Sequence, residues 1–107
     1  MELTSKQRAQ LRAIANSIDT IVQIGKDGIT ENLVCQADSA LQAREIIKCR
    51  VLDNSLLSAR EACEELGRLT DSQPVQVIGT RFVLYRQQPD KSKRKIQLVK
   101  AEKRRTE

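Results

Sequence analysis

The stretch Gly25-Lys26-Asp27-Gly28 combines residue types that can hold an anion. Its two glycines relax the backbone, and without Cβ atoms they allow a ligand to approach closely. The amides of such a loop, together with the N-terminus of a following helix, can point at a phosphate group. Lys26 adds a direct positive charge. Because the same spacing also occurs in ordinary tight turns, the stretch alone leaves an anion site and a simple turn as open alternatives.

Other kinds of chemistry lack the residues that they need. The chain contains no histidine, so imidazole-based triads and dyads are excluded. The cysteines Cys35, Cys49 and Cys63 form no C-x-x-C pair, so they predict neither a zinc site nor a disulfide framework. We expect them to be small core or surface residues in a reducing compartment. The P-loop pattern for nucleotide hydrolysis is also missing. We therefore expect no catalysis, no metal and no cofactor.

Length and composition predict one small globular domain. The chain has 107 residues, of which 39% are hydrophobic and 31% are charged, as is usual for a domain with its own core. No apolar run approaches the roughly 20 residues that a membrane-spanning helix requires. We expect a soluble, cytoplasmic monomer without a secretory signal, a membrane partner or a small-molecule substrate.

Positive charge is concentrated at the C-terminal end of the chain. Residues 1–86 carry 11 basic and 11 acidic side chains, whereas residues 87–107 carry 8 basic and 3 acidic ones. We therefore predict a folded domain over 1–86 and a mostly mobile basic tail over 87–107. The tail is either a solubilising terminus or an arm that attracts phosphate backbones. Within it, residues 96–98 could add a short edge strand.

Caps and hydrophobic periodicity predict the elements that position the loop. Helix starts are expected at the capping residues Thr4 with Gln7, Thr30, and Ser58 with Glu61. Strands are expected over 20–24, 45–51, 74–78 and 81–86. The order α-β-α-β-α-β-β predicts an α/β two-layer domain with a mixed four-stranded sheet. Parallel neighbours are joined by helical crossovers, and the final hairpin is antiparallel.

Several stretches, in order along the chain, resemble one known family. They are IVQIGKDGITEN at 21–32, EIIK at 45–48, VQVIG at 75–79 and VLYR at 83–86. They are similar to the CRM domain, named for chloroplast RNA splicing and ribosome maturation, in its stand-alone bacterial form, the YhbY type. The resemblance covers about residues 3–86, and KIQL at 95–98 resembles the family's usual ending.

The resemblance implies both a fold and a partner. The fold would be akin to the C-terminal domain of the third translation initiation factor, with a KH-like GxxG loop. The partner would be RNA, specifically rRNA in precursor large ribosomal subunits, and the protein would assist their assembly. The family's loop maps onto Gly25, Lys26, Asp27 and Gly28, and we expect a basic face formed by Lys6, Arg8, Arg12, Lys48 and Arg81. Because aromatic residues are scarce, we expect folded RNA to be recognised by shape and phosphate contacts.

Other function classes stay open at this point. A general RNA chaperone would have the same surface without a ribosomal target. An interaction adaptor would dock its basic tail on an acidic protein, and its complexes would survive nuclease treatment, whereas RNA complexes would not. An enzyme has little support because no nucleophile–base pair or cofactor motif is present.

Overall fold

The computed structural model describes residues 3–99. Its elements are α1 (Ser5–Ala15), β1 (Thr20–Ile24), α2 (Glu31–Arg44), β2 (Ile46–Val51), α3 (Ala59–Thr70), β3 (Gln73–Ile78), β4 (Arg81–Tyr85) and a short 3-10 helix (Lys91–Lys93). The predicted α-β-α-β-α-β-β order is confirmed. None of the helices in this part of the chain is long and apolar enough to cross a membrane. The end of the predicted basic tail, residues 100–107, lies outside the described residues.

The three helices begin at the predicted caps. The hydroxyl of Thr4 accepts from the backbone N–H of Gln7, whose side chain accepts from the backbone N–H of Thr4, at 3.1 Å in each direction. Ser58 and Glu61 repeat this reciprocal pair at the start of α3. The hydroxyl of Thr30 accepts from a backbone N–H in the first turn of α2 at 3.2 Å. Each cap satisfies a backbone donor that the helix itself leaves unpaired.

One mixed sheet holds the four strands, in the order β1-β2-β4-β3. β1 and β2 are parallel neighbours, as predicted. β4 runs antiparallel to both β2 and β3. The second crossover therefore differs from the prediction, because β2 and β3 run in the same direction but are not neighbours. The tight turn at 79–80 brings β4 back into the position between them.

Side-chain alternation gives each face of the sheet its own core. The face covered by α2 and α3 buries Ile47, Cys49, Phe82 and Leu84. The opposite face, covered by α1, has a smaller cluster of buried residues: Leu11, Ala15, Ile46, Val75, Val83, Tyr85 and Ile96. Helices thus lie on both sides of the sheet, whereas the predicted arrangement had only two layers. The reason lies in the strands, which carry apolar residues on both faces and so need cover on both.

The segment after β4 continues along the side of the sheet that α1 covers. Its Ile96 is 9% exposed and belongs to the core on that side. The Glu45 carboxylate, 1% exposed, accepts from the backbone N–H groups of Gln88, Lys95 and Ile96 at 2.7 to 2.8 Å. Long-range hydrogen bonds therefore fix residues 88–96 to the domain. The boundary of the folded domain after Arg86 stays a prediction.

The expected edge strand at 96–98 is wrong, because this segment has no strand pairing. Its peptide groups are bonded by glutamine side chains of α1. The amide of Gln10 donates to the carbonyl of Gln97 and accepts from the backbone N–H of Val99, both at 2.8 Å. The amide of Gln7 donates to the carbonyl of Val99 at 2.9 Å. Because side chains bond these groups, the segment needs no neighbouring strand.

Candidate nucleic-acid interface

Three loops meet at the end of the sheet where β1 and β2 finish. The backbone N–H of Leu52, just after β2, donates to the carbonyl of Ile24 at 2.9 Å. The backbone N–H of Val51 donates to Thr80, in the turn between β3 and β4, at 2.7 Å. The carboxyl ends of two parallel strands, the GxxG loop and the β3–β4 turn therefore form one continuous surface.

The GxxG loop is a closed turn with its two polar side chains at the tip. The backbone N–H of Gly28 donates to the carbonyl of Gly25 at 3.1 Å, while the intervening Lys26 and Asp27 are exposed. Gly28 has φ of 70°, a left-handed conformation that favours glycine. Thr30, not Asp27, caps α2, so the Asp27 carboxylate stays at the tip.

Unused backbone donors surround this turn. Among residues 3–99, the backbone N–H groups of Lys26, Asp27 and Ile29 have no acceptor. Such donors beside a helix N-terminus are suited to bind a phosphate oxygen. However, Lys26 stands against the two carboxylates of Asp27 and Glu31. The loop therefore supplies donors but no excess of positive charge, which must come from its surroundings.

That charge comes from a group of cations on the sheet, which we call the cation patch: Lys48, Arg50 and Arg81. Arg50 on β2 lies directly opposite Arg81 on β4, and both are exposed. Like charges that face each other across two strands are destabilising unless something neutralises them. Within the described part of the chain, none of the three has an ion-pair partner. This arrangement favours a bound anion.

Two members of the cation patch, Arg50 and Arg81, lie near the end of the sheet where the GxxG loop begins. Ile24 pairs with Val51, so the loop begins one residue beyond this pair and Arg50 lies one residue before it. Of the predicted site residues, Arg81 lies opposite Arg50 near this end of the sheet, whereas Lys48 pairs with Thr20 at the start of β1. Sequence reasoning missed Arg50, although its alternation with Lys48 along the strand was a sufficient signal.

Helix α1 divides its three cations between two sides. Arg8 and Arg12 are four residues apart and share a side, and the Arg8 guanidinium donates to the carbonyl of Pro74 on β3. Lys6 is about 200° around the helix from Arg8, at 3.6 residues per turn. It shares its side with Gln10, which bonds the segment after β4. The helix thus separates Lys6 from Arg8 and Arg12.

The side of the sheet that α2 and α3 cover carries acidic groups. The outer face of α3 presents Glu61, Glu64 and Glu65 around an open hollow of about 610 Å³. One of them is partly neutralised, because the Arg68 guanidinium lies 2.7 Å from the Glu65 carboxylate. Three glutamates thus lie on this side and the cation patch on the other, although α3 also carries the exposed Arg60 and Arg68.

Two of the three cysteines are poorly suited to act as nucleophiles. Burial raises the pKa of the Cys49 thiol to about 12 and that of Cys63 to about 11, with the adjacent Glu64 carboxylate adding to the effect in Cys63. The thiolate, which is the nucleophilic form, is therefore scarce at both positions. Among the described residues, no group of three or more cysteines and carboxylates could hold a metal ion.

The arrangement of loop, sheet and helices can be compared with known proteins. A sequence model of the CRS1 / YhbY (CRM) domain matches residues 3–86. The chain belongs to this family. The match includes every helix from α1 to α3 and all four strands of the sheet, so the resemblance found in the sequence is confirmed. Both the GxxG loop and the cation patch of this chain lie within the matched residues.

Two relatives and one solved structure support this assignment. The Probable RNA-binding protein YqeI of Bacillus subtilis is 40% identical over 96 residues, covering 90% of this chain and 98% of that protein. An RNA-binding protein of Haemophilus influenzae is 31% identical over 84 residues, covering 78% and 85%. The solution structure of the hypothetical protein SAV1595 from Staphylococcus aureus matches with a TM-score of 0.75 and 44% identity, covering 92% of this chain and 100% of that one.

Proposed function

We propose that this CRM domain is a non-catalytic RNA-binding protein whose interface is the GxxG loop together with the cation patch. The observation that carries the proposal is the position of Arg50 and Arg81, opposite each other and beside a loop with unused backbone donors. An RNA backbone supplies the anions that such a surface lacks. The names of the two relatives, both of which include RNA binding, point the same way.

Each part of the interface has a distinct role in this proposal. Gly25 and Gly28 let the RNA backbone come close, and Lys26 contacts a phosphate. Arg50 and Arg81 continue the contact across the sheet. Arg12 extends it along α1. Most of these groups are charged and none is aromatic, so the interface recognises the shape and phosphates of folded RNA and not the sequence of a long single strand.

We also propose which RNA is the target of this interface. We assign it as rRNA in precursors of the large ribosomal subunit, whose assembly the protein assists. This assignment follows from the family resemblance, and the charge-based surface suits a large, folded RNA. The exposed glutamates of α3 lie on the other side of the sheet from the cation patch, although their hollow reaches Ile29, just after the GxxG loop.

A charge-matched comparison tests the interface. Arg50→Ala and Arg60→Ala each remove one exposed arginine, but Arg60 lies on α3, on the opposite side of the sheet. With a folded rRNA fragment, Arg50→Ala and Lys26→Ala should weaken binding and lower the slope of log Kd against log salt by about 1 each. Arg60→Ala should leave both quantities near their original values. Equal losses of RNA binding in Arg50→Ala and Arg60→Ala would contradict the proposed interface.

Sedimentation of cell lysate on a sucrose gradient tests the target. The full-length protein should migrate with particles near the large subunit, and a version ending at Val99 should do so too. Ending the chain at Val99 keeps the hydrogen bonds of Glu45 and Gln10, whereas a cut after Arg86 would remove their partners. Loss of migration in the shorter version would make residues 100–107 the main attachment. If both versions stay at the top of the gradient, ribosome assembly is not the function.

A further inference from the structure

A small cavity opens between the C-terminal end of α1 and the sheet, directly beside the cation patch. Its volume is about 170 Å³. Ala15 and Asn16 at the end of α1 form one wall, and Gln76 and Ile78 on β3 form another. Lys48 and Arg81, two members of the cation patch, also line it. The cavity is therefore part of the surface proposed to contact RNA.

The lining combines an apolar interior with unpaired polar groups. Ala15 is 1% exposed, whereas Ile78 is an exposed aliphatic side chain, at 63%. Among residues 3–99, the side-chain amides of Asn16 and Gln76 have no hydrogen-bond partner. Apolar walls with a few polar groups are characteristic of sites for small ligands. Amides with both donor and acceptor atoms are suited to the edge of a nucleobase.

Charges of both signs border the cavity, because Lys48 and Arg81 line it together with the C-terminal end of α1. The C-terminal end of a helix carries partial negative charge, and α1 ends at this cavity with Asn16 as its cap. That end disfavours a phosphate beside it, whereas a neutral base can lie against it. Lys48 and Arg81 are placed to hold phosphates beside the cavity. The base and the phosphates of an RNA are thus attracted to different parts of this surface.

We propose that this cavity receives one unpaired nucleobase of the bound RNA, while Lys48 and Arg81 contact the neighbouring phosphates. The inference rests on the proposed RNA binding and adds a base-specific contact to it. Asn16 and Gln76 bond the edge of the base, and Ile78 covers its face. A bulged or looped nucleotide next to a folded RNA segment would satisfy both parts of the surface.

Nuclear magnetic resonance with small probes tests the cavity directly. The ¹⁵N-labelled full chain is titrated with AMP, CMP, GMP and UMP, and with ribose 5-phosphate as the ligand that lacks a base. At least one nucleotide should shift the side-chain amide signals of Asn16 and Gln76. Its affinity should exceed that of ribose 5-phosphate by about fivefold or more, since a well-matched base contact contributes at least this much.

Two glutamine variants provide a matched pair. Gln76→Ala should reduce the affinity for the responding nucleotide by about fivefold or more. Gln23→Ala removes an exposed glutamine on β1, opposite Arg50 and outside the cavity, and should leave that affinity unchanged. If Gln76→Ala does not fold, Asn16→Ala replaces it, because Asn16 caps α1 through its backbone.

The outcomes separate the cavity from the interface as a whole. If ribose 5-phosphate shifts the same signals equally, or if no nucleotide shifts them, the base site is wrong. The RNA interface still stands in that case if Arg50→Ala weakens binding to the folded rRNA fragment. If Arg50→Ala and Lys26→Ala both leave RNA binding unchanged, the proposed interface fails and the base site fails with it.

Discussion

The two faces of the sheet differ in what they bury and in what they leave exposed. On the α2/α3 side, two helices cover the strands with an almost wholly apolar core, and their outer surface carries carboxylates. On the α1 side, one helix and the segment after β4 cover a smaller core, and part of the sheet stays open around Arg50 and Arg81. The alternation of side chains along the same strands produces both surfaces.

This difference assigns separate tasks to the two faces. The fully covered face supplies most of the apolar burial, on which the stability of a small domain mainly depends. The partly open face can expose cations and a cavity because the fold does not need it to be sealed. Changes on the first face should therefore affect stability, and changes on the second should affect binding. The following experiments test this division.

Thiol reactivity should differ most between the covered core and the surface. Cys49 and Cys63 are buried on the α2/α3 side and Cys35 is exposed. Burial raises the pKa of Cys49 from 9.0 to about 12, which lowers its thiolate fraction at pH 8 by roughly a thousandfold. One thiol per chain should react rapidly with a disulfide reagent, and two should react only on unfolding. Cys35→Ser should abolish the rapid phase, and a rapid phase that persists in this variant would show that the core opens.

Leu66→Ala should cause a large loss of stability. Leu66 on α3 is fully buried against the sheet, and removing such a side chain leaves a cavity that costs about 2–5 kcal/mol. Chemical denaturation measures the loss. Ile96→Ala is the counterpart on the other face and should cost about 2 kcal/mol, at the lower end of that range, because its segment is not part of the sheet and can shift. A larger loss for Ile96 would reverse the proposed division.

Glu45→Gln should loosen the segment after β4. The carboxylate accepts three backbone N–H groups, but an amide nitrogen in place of one oxygen cannot accept. We expect a loss of about 1–3 kcal/mol and faster hydrogen exchange at the amides of Lys95 and Ile96. RNA binding through the cation patch should persist. Unchanged exchange at these two amides would show that the carboxylate does not hold the segment.

The two glycines of the loop should respond differently to alanine, with the smallest effects of this series. Gly28→Ala should cost about 1–2 kcal/mol because its φ of 70° is strained for any residue with a Cβ. A Cβ at Gly25 would meet only Asn54 Oδ1 at 3.5 Å and Leu52 Cδ1 at 3.7 Å, so Gly25→Ala should leave stability nearly unchanged. If Gly25→Ala nevertheless weakens RNA binding, the glycine serves the ligand. If Gly25→Ala weakens neither stability nor RNA binding, the loop does not approach the RNA backbone closely at that position.

Local features of the fold could be predicted from the sequence. The caps at Thr4, Thr30 and Ser58 depend on residues within three positions of one another, and the alternation in β2 depends on a single strand. The position of β4 between β2 and β3 could not be predicted, because it depends on which edge of β2 the final hairpin joins. The hydrogen bonds of Glu45 were equally inaccessible, since their partners are 43 to 51 residues away.

The position of the GxxG loop could be predicted from the sequence, whereas the composition of the basic surface around it could be predicted only in part. The GxxG stretch is a continuous motif, so its position at the end of a strand followed directly. The basic face combines residues from α1, β2 and β4, and only the register shows that Arg50 and Arg81 are opposite each other. The predicted basic face included both Lys6 and Arg8, although helical geometry alone places them on different sides of α1.

The position of β4 has a consequence for how the protein is made. β4 is the last strand to be synthesised, yet it lies between β2 and β3. A nascent chain that ends before Arg81 leaves β2 with one unpaired edge, and such an edge can pair with other chains. Folding depends on contacts that are distant along the chain and is correspondingly slower. We expect the sheet to close only after residues 81–85 have left the ribosome.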